Sequence, residues 1–270
     1  MPPFSPIPPL PKKRSFRLGV TSYIFPADIL PNAEALAGCV DDIELVLFES
    51  RAASNLPTPV AIDRLAELGR RHRLTYTVHF PLDRHLGSPA AEERAAGVRQ
   101  IRELLTLTRP LEPYGYVLHL SGIAPDAPRE HVQQWQRDTA AALELVFAGG
   151  ANPRLFCVEN LDYPFAWCEP LLDRFGLSVC ADVGHLWRSG TDVDAFLARH
   201  LPRTRVIHLH GVHRGQDHLP LTALEPERLR AFLRAIRDFS GVVTLEVFEY
   251  DALRLSIERL TACLENETAG

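Results

Sequence analysis

The chain has 270 residues, enough for one large domain or two small ones and for a sizeable buried core. Its 46% hydrophobic and 23% charged content is that of a globular protein, which excludes a disordered, fibrous or collagen-like chain. Net charge is −5, Lys12 and Lys13 are the only lysines, and no basic run would track a phosphate backbone, so nucleic acid is not an expected partner.

Residues 1–16 are Pro-rich and carry their basic residues after the apolar ones. A signal peptide needs the opposite order and a continuous apolar run, so this stretch reads as a polyproline-like or disordered arm of a cytoplasmic protein. No run approaches the ~18 apolar residues of a membrane span, and no membrane partner is expected. The five cysteines, at 39, 157, 168, 180 and 263, are odd in number and form no C-x-x-C. They read as free thiols in a reducing compartment.

From residue 17 onward, short apolar runs alternate with longer amphipathic stretches. The runs cover 17–25, 43–48, 75–81, 116–122, 154–161, 177–186, 204–212 and 242–248. Near-continuous apolarity, rather than strict alternation, fits parallel strands covered by helices. Helical patterning follows at 32–38, 58–71, 91–108, 129–148, 165–175, 191–199, 225–239 and 251–265. In the second of these Val60, Leu65 and Leu68 fall on one side, and Thr191 and Asp194 offer cap chemistry for the sixth. Eight such units predict an α/β fold, a (β/α)8 TIM barrel over residues 17–266, as a single domain behind the N-terminal arm. An open doubly wound sheet would need a Gly-rich turn after the first strand, where the sequence has TSYIFPAD.

A TIM barrel carries its chemistry at the C-terminal ends of its strands. His79, His119, Glu159, Asp182 with His185, His208 with His210, and Glu246 fall at six consecutive run ends, and His213, Asp217 and His218 follow the seventh. A single histidine or glutamate there is commonly a hydrogen-bonded structural residue. Six strands converging on one small volume are different, because unpaired buried charge costs several kcal/mol per ion, of the order expected for real proteins. Bound divalent cations remove that cost, and mixed nitrogen and oxygen ligands favour Zn²⁺, Mn²⁺ or Fe²⁺. Glu44 and Glu49 flank the second strand end, where one would face the pocket or both would be solvated rim carboxylates. Arg51, Arg84 and Arg214 lie in loops where they would hold a substrate phosphate or remain solvated. His72, His131 and His200 fall on helices and read as surface residues. Nucleophile-elbow, Walker A and zinc-finger patterns are missing.

The ordered motifs VHFP, LHLSG, VENL, ADVGH, IHLHG, DHLPL and LEVF make the chain, over residues 16–265, resemble the xylose-isomerase-like barrel superfamily, which includes endonuclease IV and sugar isomerases and epimerases. The resemblance implies two or three divalent metals. His79, His119 and Glu159 would hold one. Glu159 would bridge to a second, held with Asp182, His208 and Glu246. His185 and the loop after the seventh strand would form a third site. That loop departs from the family's Asp-x-His: here Gln216, Asp217 and His218 set the acid beside the histidine. The DNA-repair members' Gly-rich stretch and Cys-His ending are replaced by VENLDYPFAW and ADVGH.

The segment LGVTSYIFPADILPNAEALAGCVDDIELVLFES, followed by SNLP, is similar to the cobamide-remodelling phosphodiesterases of corrinoid salvage. This implies hydrolysis of a cobamide's nucleotide-loop phosphodiester to leave a cobinamide. Glu246 and Glu159 would orient the nucleophile and His218 would stabilise the leaving oxygen. His210, Glu44, Arg84 and Arg214 would contact substrate. Tyr23, Phe25, Leu56, Leu86 and Trp187 would form an apolar mouth. One alternative is a sugar isomerase or epimerase, with Glu159, Asp182, His208 and Glu246 around a single metal and the two glutamates shuttling a proton. A second is a corrinoid-binding barrel without turnover.

Overall fold

A computed structural model describes residues 7–49 and 53–266; residues 1–6 of the Pro-rich arm and Arg51 lie outside them. Eight parallel strands close into a barrel. They are β1 (Arg17–Thr21), β2 (Asp42–Val46), β3 (Thr75–His79), β4 (Gly115–Leu118), β5 (Phe156–Glu159), β6 (Ser178–Asp182), β7 (Thr204–Leu209) and β10 (Val242–Leu245). Each pairs with its neighbour in sequence, and β10 closes the ring by pairing with both β7 and β1. A two-stranded antiparallel hairpin, β8 (Gly211–His213) and β9 (Gln216–Leu219), rises from the end of β7. The run 204–212 is therefore not one strand, because two apolar stretches abut with only His210 between them.

The helices are α1 (Ile29–Leu36), α2 (Pro59–His72), α3 (Ala91–Thr108), α4 (Arg129–Phe147), α5 (Glu169–Phe175), α6 (Val183–Ser189), α7 (Val193–His200), α8 (Pro226–Ala235) and α9 (Tyr250–Asn266). Helix α6 starts at Val183, where the apolar pattern predicts strand as far as residue 186. The side chain of Asp182 ends β6 by accepting the His185 amide, and so caps the helix that follows. Asp192, rather than Thr191 or Asp194, caps α7, by accepting from the Ala195 amide. On α2 the covered face is Ile62 and Leu65, while Val60 is 72% exposed. His200 is buried with its ring against Phe165 and Phe196, not at the surface. Among the described residues no helix is long and apolar enough to cross a membrane.

Strand side chains alternate between two faces. Leu18, Val20, Ile43, Leu45, Tyr76 and Val78 belong to the main core around the barrel. Val117, Cys157, Cys180 and Val206 form a separate small cluster, the apolar plug of the lumen. Cys157, Cys168 and Cys180 are buried free thiols, and Cys263 is buried as well. On the N-terminal side, Ile7 and Leu10 pack on the core, and Arg14 pairs with Asp41.

Asp42 enters the lumen at the start of β2, fully buried, where Thr75 donates a hydrogen bond to it. Burial pushes its carboxyl up to about 7, against the lowering effect of Thr75 and Thr77. A carboxyl raised on folding takes up a proton, so its contribution is most favourable at low pH and is lost as pH rises from its unfolded value to about 7. Asp42→Asn is expected to gain melting temperature relative to the native chain between pH 4.5 and pH 8, by an amount equivalent to at most about 4 kcal/mol. Thermal melts across that range check this; a constant or shrinking difference would contradict it.

Candidate metal centre

The ionisable side chains gather at the C-terminal end of the barrel because each stands at or just past the end of a strand. His79, Glu159 and Asp182 are the last residues of β3, β5 and β6; His119 and Glu246 lie one residue beyond β4 and β10. His208 lies within β7, and His185 sits in the first turn of α6. Glu159 is the hub. Its Oε2 is 2.9 Å from His119 Nε2, 3.4 Å from His79 Nε2 and 3.6 Å from His208 Nδ1, and its Oε1 is 3.5 Å from His185 Nδ1. His208 Nδ1 is also 3.2 Å from Glu246 Oε2 and 4.0 Å from Asp182 Oδ2. His185 Nδ1 lies 3.0 Å from Asp182 Oδ2. The structure thus brings together His79, His119, Glu159, Asp182, His185, His208 and Glu246.

The hairpin supplies the outer flank. His218 Nδ1 is 3.6 Å from Glu246 Oε2, and its side chain is 29% exposed, at the rim of the cluster. Its backbone is left-handed, with φ 52°, which turns its amide onto His210 Nδ1 at 3.0 Å. His210 Nε2 then faces Asp182 Oδ1 at 3.2 Å. His210 is fully buried with both ring nitrogens engaged, so it orients Asp182 from within rather than lining an open mouth. Asp217 sits at the edge. Arg188 pairs with its carboxylate, which stays 3.9 Å from His185 Nε2 and 4.0 Å from His218 Nε2.

Glu44 is also placed away from the mouth. It is fully buried beneath the cluster, with Oε2 2.9 Å from His208 Nε2. Arg84 and Arg214 are exposed in loops, Arg214 at the turn of the hairpin, and neither is drawn into the cluster. Of the expected apolar mouth, Leu86 and Phe25 are buried and Trp187 packs on Phe232; Tyr23 and Leu56 remain part-exposed. A cavity of about 1030 Å³, lined by Tyr114, Arg154 and Arg205 among others, includes no member of the cluster.

Two supporting residues escaped sequence reasoning. Asn160, directly after Glu159, clamps the Asp182 backbone: its Nδ2 donates to the Asp182 carbonyl at 2.9 Å and its Oδ1 accepts the Asp182 amide at 2.8 Å. Arg188 ties Asp217 to Asp162. The Asn of VENL was the available signal for the first; nothing local in the sequence marks the second.

The electrostatics fit a cation. Burial raises Glu159, but His119 and His208, with hydrogen bonds from His119 and His79, hold its carboxyl well below the usual range. Burial likewise opposes ionisation of Glu246, yet His208 brings it to about 2. Burial would lower His208, but its interactions with Cys180 and with the carboxylates of Glu246, Glu44 and Glu159 keep it well above its ordinary value. Buried Glu44 Oε1, His208 Nδ1 and Glu246 Oε2 have no hydrogen-bond partner. Groups such as His79–His119–Glu159, Glu159–Asp182–His185 and His185–His210–His218 place candidate ligand atoms within 4.8 Å of one another. Orphaned acceptors among mixed imidazoles and carboxylates suit a borderline divalent metal.

The family model for the xylose isomerase-like TIM barrel matches residues 33–266, and the chain belongs to that family. No curated protein sequence matches it. Among solved structures, a D-tagatose 3-epimerase-like protein superposes with TM-score 0.74 at 22% identity, covering 94% of this chain and 100% of the other. A 3-keto-D-glucoside 4-epimerase from E. coli gives 0.68 at 17%, with 93% and 99% covered. Endonuclease IV from Thermus thermophilus gives 0.69 at 20%, again with 93% and 99% covered. At such identities the likeness establishes the fold.

Gly184 makes room for His210: a Cβ there would lie 2.0 Å from His210 Cε1 and 2.3 Å from its Nε2. Gly184→Ala is expected to destabilise the protein by about 1–3 kcal/mol, as overpacking does. His210→Ala in the same chain should relieve most of that cost. Denaturant unfolding of the two single variants and the double variant checks the coupling; additive losses would contradict it.

Proposed function

We propose that the chain is a metal-dependent phosphodiesterase that hydrolyses the nucleotide-loop phosphodiester of a cobamide. The observation that carries the hydrolase reading is the spread of candidate ligands beyond a one-metal set. His79 and His119 flank Glu159 on one side, and His185 and His218 flank Asp182 and Glu246 on the other. A one-metal site on Glu159, Asp182, His208 and Glu246 leaves those four histidines without a purpose. The cobamide assignment rests on the similarity of residues 18–57 alone. The acidic net charge and the replaced DNA-repair motifs speak against abasic DNA.

When bound, divalent metals would neutralise phosphodiester oxygens and acidify water. His79, His119, Glu159, Asp182, His185, His208, Glu246 and His218 would hold them, with Asp217 at the margin. Glu159 and Glu246, both held ionised, orient the attacking water through their carboxylate oxygens. As phosphorus accepts the new bond, the water gives up a proton to solvent, the opposite P–O bond breaks and its oxygen needs a proton in turn. That oxygen would be stabilised by a metal or by His218, the part-exposed imidazole at the rim, until it takes up the proton. Arg214, on the same hairpin, would meet the phosphate from solvent.

The comparisons favour the second reading, a sugar isomerase or epimerase, since solved structures of this fold include several epimerases. One assay separates the readings: metal-replete protein with cobamides, with a panel of ketoses and with abasic-site DNA, followed by mass analysis. The proposal expects cobinamide products, their loss on chelation, and intact DNA. Glu246→Gln should lower kcat by about 100-fold or more while KM moves by less than about 3-fold. Intact cobamides with an equilibrated ketose would establish the epimerase instead; tight corrinoid binding without turnover would establish a binding protein.

A further inference from the structure

Beneath the cluster, Glu44 has a geometry that a substrate contact does not explain. It points into the lumen between Ile43 and Leu45, which face the surrounding core. Both Glu44 and His208 have no solvent exposure. The Glu44 Oε2 atom lies 2.9 Å from His208 Nε2, and the Thr244 hydroxyl donates to the same oxygen at 3.4 Å. The opposite ring nitrogen, Nδ1, faces Glu246, Glu159 and Asp182 at 3.2, 3.6 and 4.0 Å and has no hydrogen-bond partner.

Metal binding displaces one of the protons that the surrounding carboxylates otherwise keep on this ring, and the neutral imidazole that remains carries one proton on one of its two nitrogens. With Nε2 protonated, it donates to Glu44 and leaves the Nδ1 lone pair directed at the three shared carboxylates. With Nδ1 protonated, a bare lone pair would oppose the Glu44 carboxylate in a fully buried contact, and the cluster would lose a nitrogen ligand. Among the described residues, Glu44, His208 and Glu246 also bring ligand atoms within 4.8 Å of one another, but the contacts on the Nε2 side are one carboxylate oxygen and, on that oxygen, a threonine hydroxyl, fewer donors than a four-coordinate metal requires.

We propose that Glu44 is a positioning residue that holds His208 as its Nε2–H tautomer, so that Nδ1 serves as a ligand to the metal centre. This rests on the metal-centre part of the reading above and is independent of the choice of substrate. Outer carboxylates of this kind fix ring orientation and tautomer, and their loss typically costs about 10–100-fold in metal affinity.

The test uses the full-length, metal-free protein titrated with Zn²⁺ by calorimetry, and long-range ¹H–¹⁵N spectra of the Zn²⁺-loaded form. Native His208 is expected to show a protonated Nε2 and a metal-bound Nδ1. Glu44→Leu, similar in volume but without an acceptor, should weaken Zn²⁺ binding by about 10-fold or more, whereas Glu44→Gln, which keeps an acceptor, should stay within about 3-fold of native. Glu44→Leu with native affinity, or Glu44→Gln as weak as Glu44→Leu, overturns the proposal. Should the leucine variant not fold, the native spectrum decides: a protonated Nδ1 or a metal-bound Nε2 on His208 overturns it. A native protein that takes up no Zn²⁺ removes the metal-centre reading itself, an outcome separate from either variant result.

Discussion

The interaction on which the rest of this structure depends is the contact of one buried carboxylate with four imidazoles. Glu159 closes the fifth strand, and His79, His119, His185 and His208 all approach its two oxygens. Asp182 and Glu246 add further charge within the same few ångströms. Taking charge out of water costs several kcal/mol per ion unless the geometry offsets it, so a protein keeps such a cluster only where a cation or a reaction makes use of it. The depressed carboxyls of Glu159 and Glu246 and the elevated imidazole of His208 are the same fact seen from the two sides of the charge balance.

Much of the remaining architecture supports that contact. The barrel delivers five ligand candidates at strand ends, and the lumen below them is closed by the Val117, Cys157, Cys180 and Val206 plug. Asn160 locks the backbone at Asp182, and Asp182 in turn caps helix α6 and so places His185. The β8–β9 hairpin brings His218 over the rim while its amide holds His210 against Asp182. Asp182 is thereby held by Asn160 and His210, and His185 by Asp182, which is how a site keeps its geometry on a rigid scaffold.

The barrel was legible because its signal is repeated: eight apolar runs, each followed by an amphipathic stretch, leave few other architectures. The ring of polar residues at the run ends was legible for the same reason, since period and position point to one face. What the sequence hid depends on contacts across the lumen. Glu44 and His208 are 164 residues apart, and nothing local distinguishes a glutamate under the cluster from one at its mouth. Helix α6 was obscured by apolar residues that continue the strand pattern past Asp182, and the hairpin by the run that joins it to β7. His200 was misplaced because a helical histidine beside arginines reads as solvated until Phe165 and Phe196 are seen to enclose it.

Placing the chain in the xylose isomerase-like family leaves epimerase and hydrolase chemistry both within reach of the same barrel. Whether the histidines outside the one-metal set are ligands rather than filler decides between one bound cation and several. Elemental analysis of protein equilibrated with excess Zn²⁺ or Mn²⁺ and then dialysed tests this most directly. Ligation by those histidines predicts at least two metal ions per chain. A single ion, or none, would contradict it.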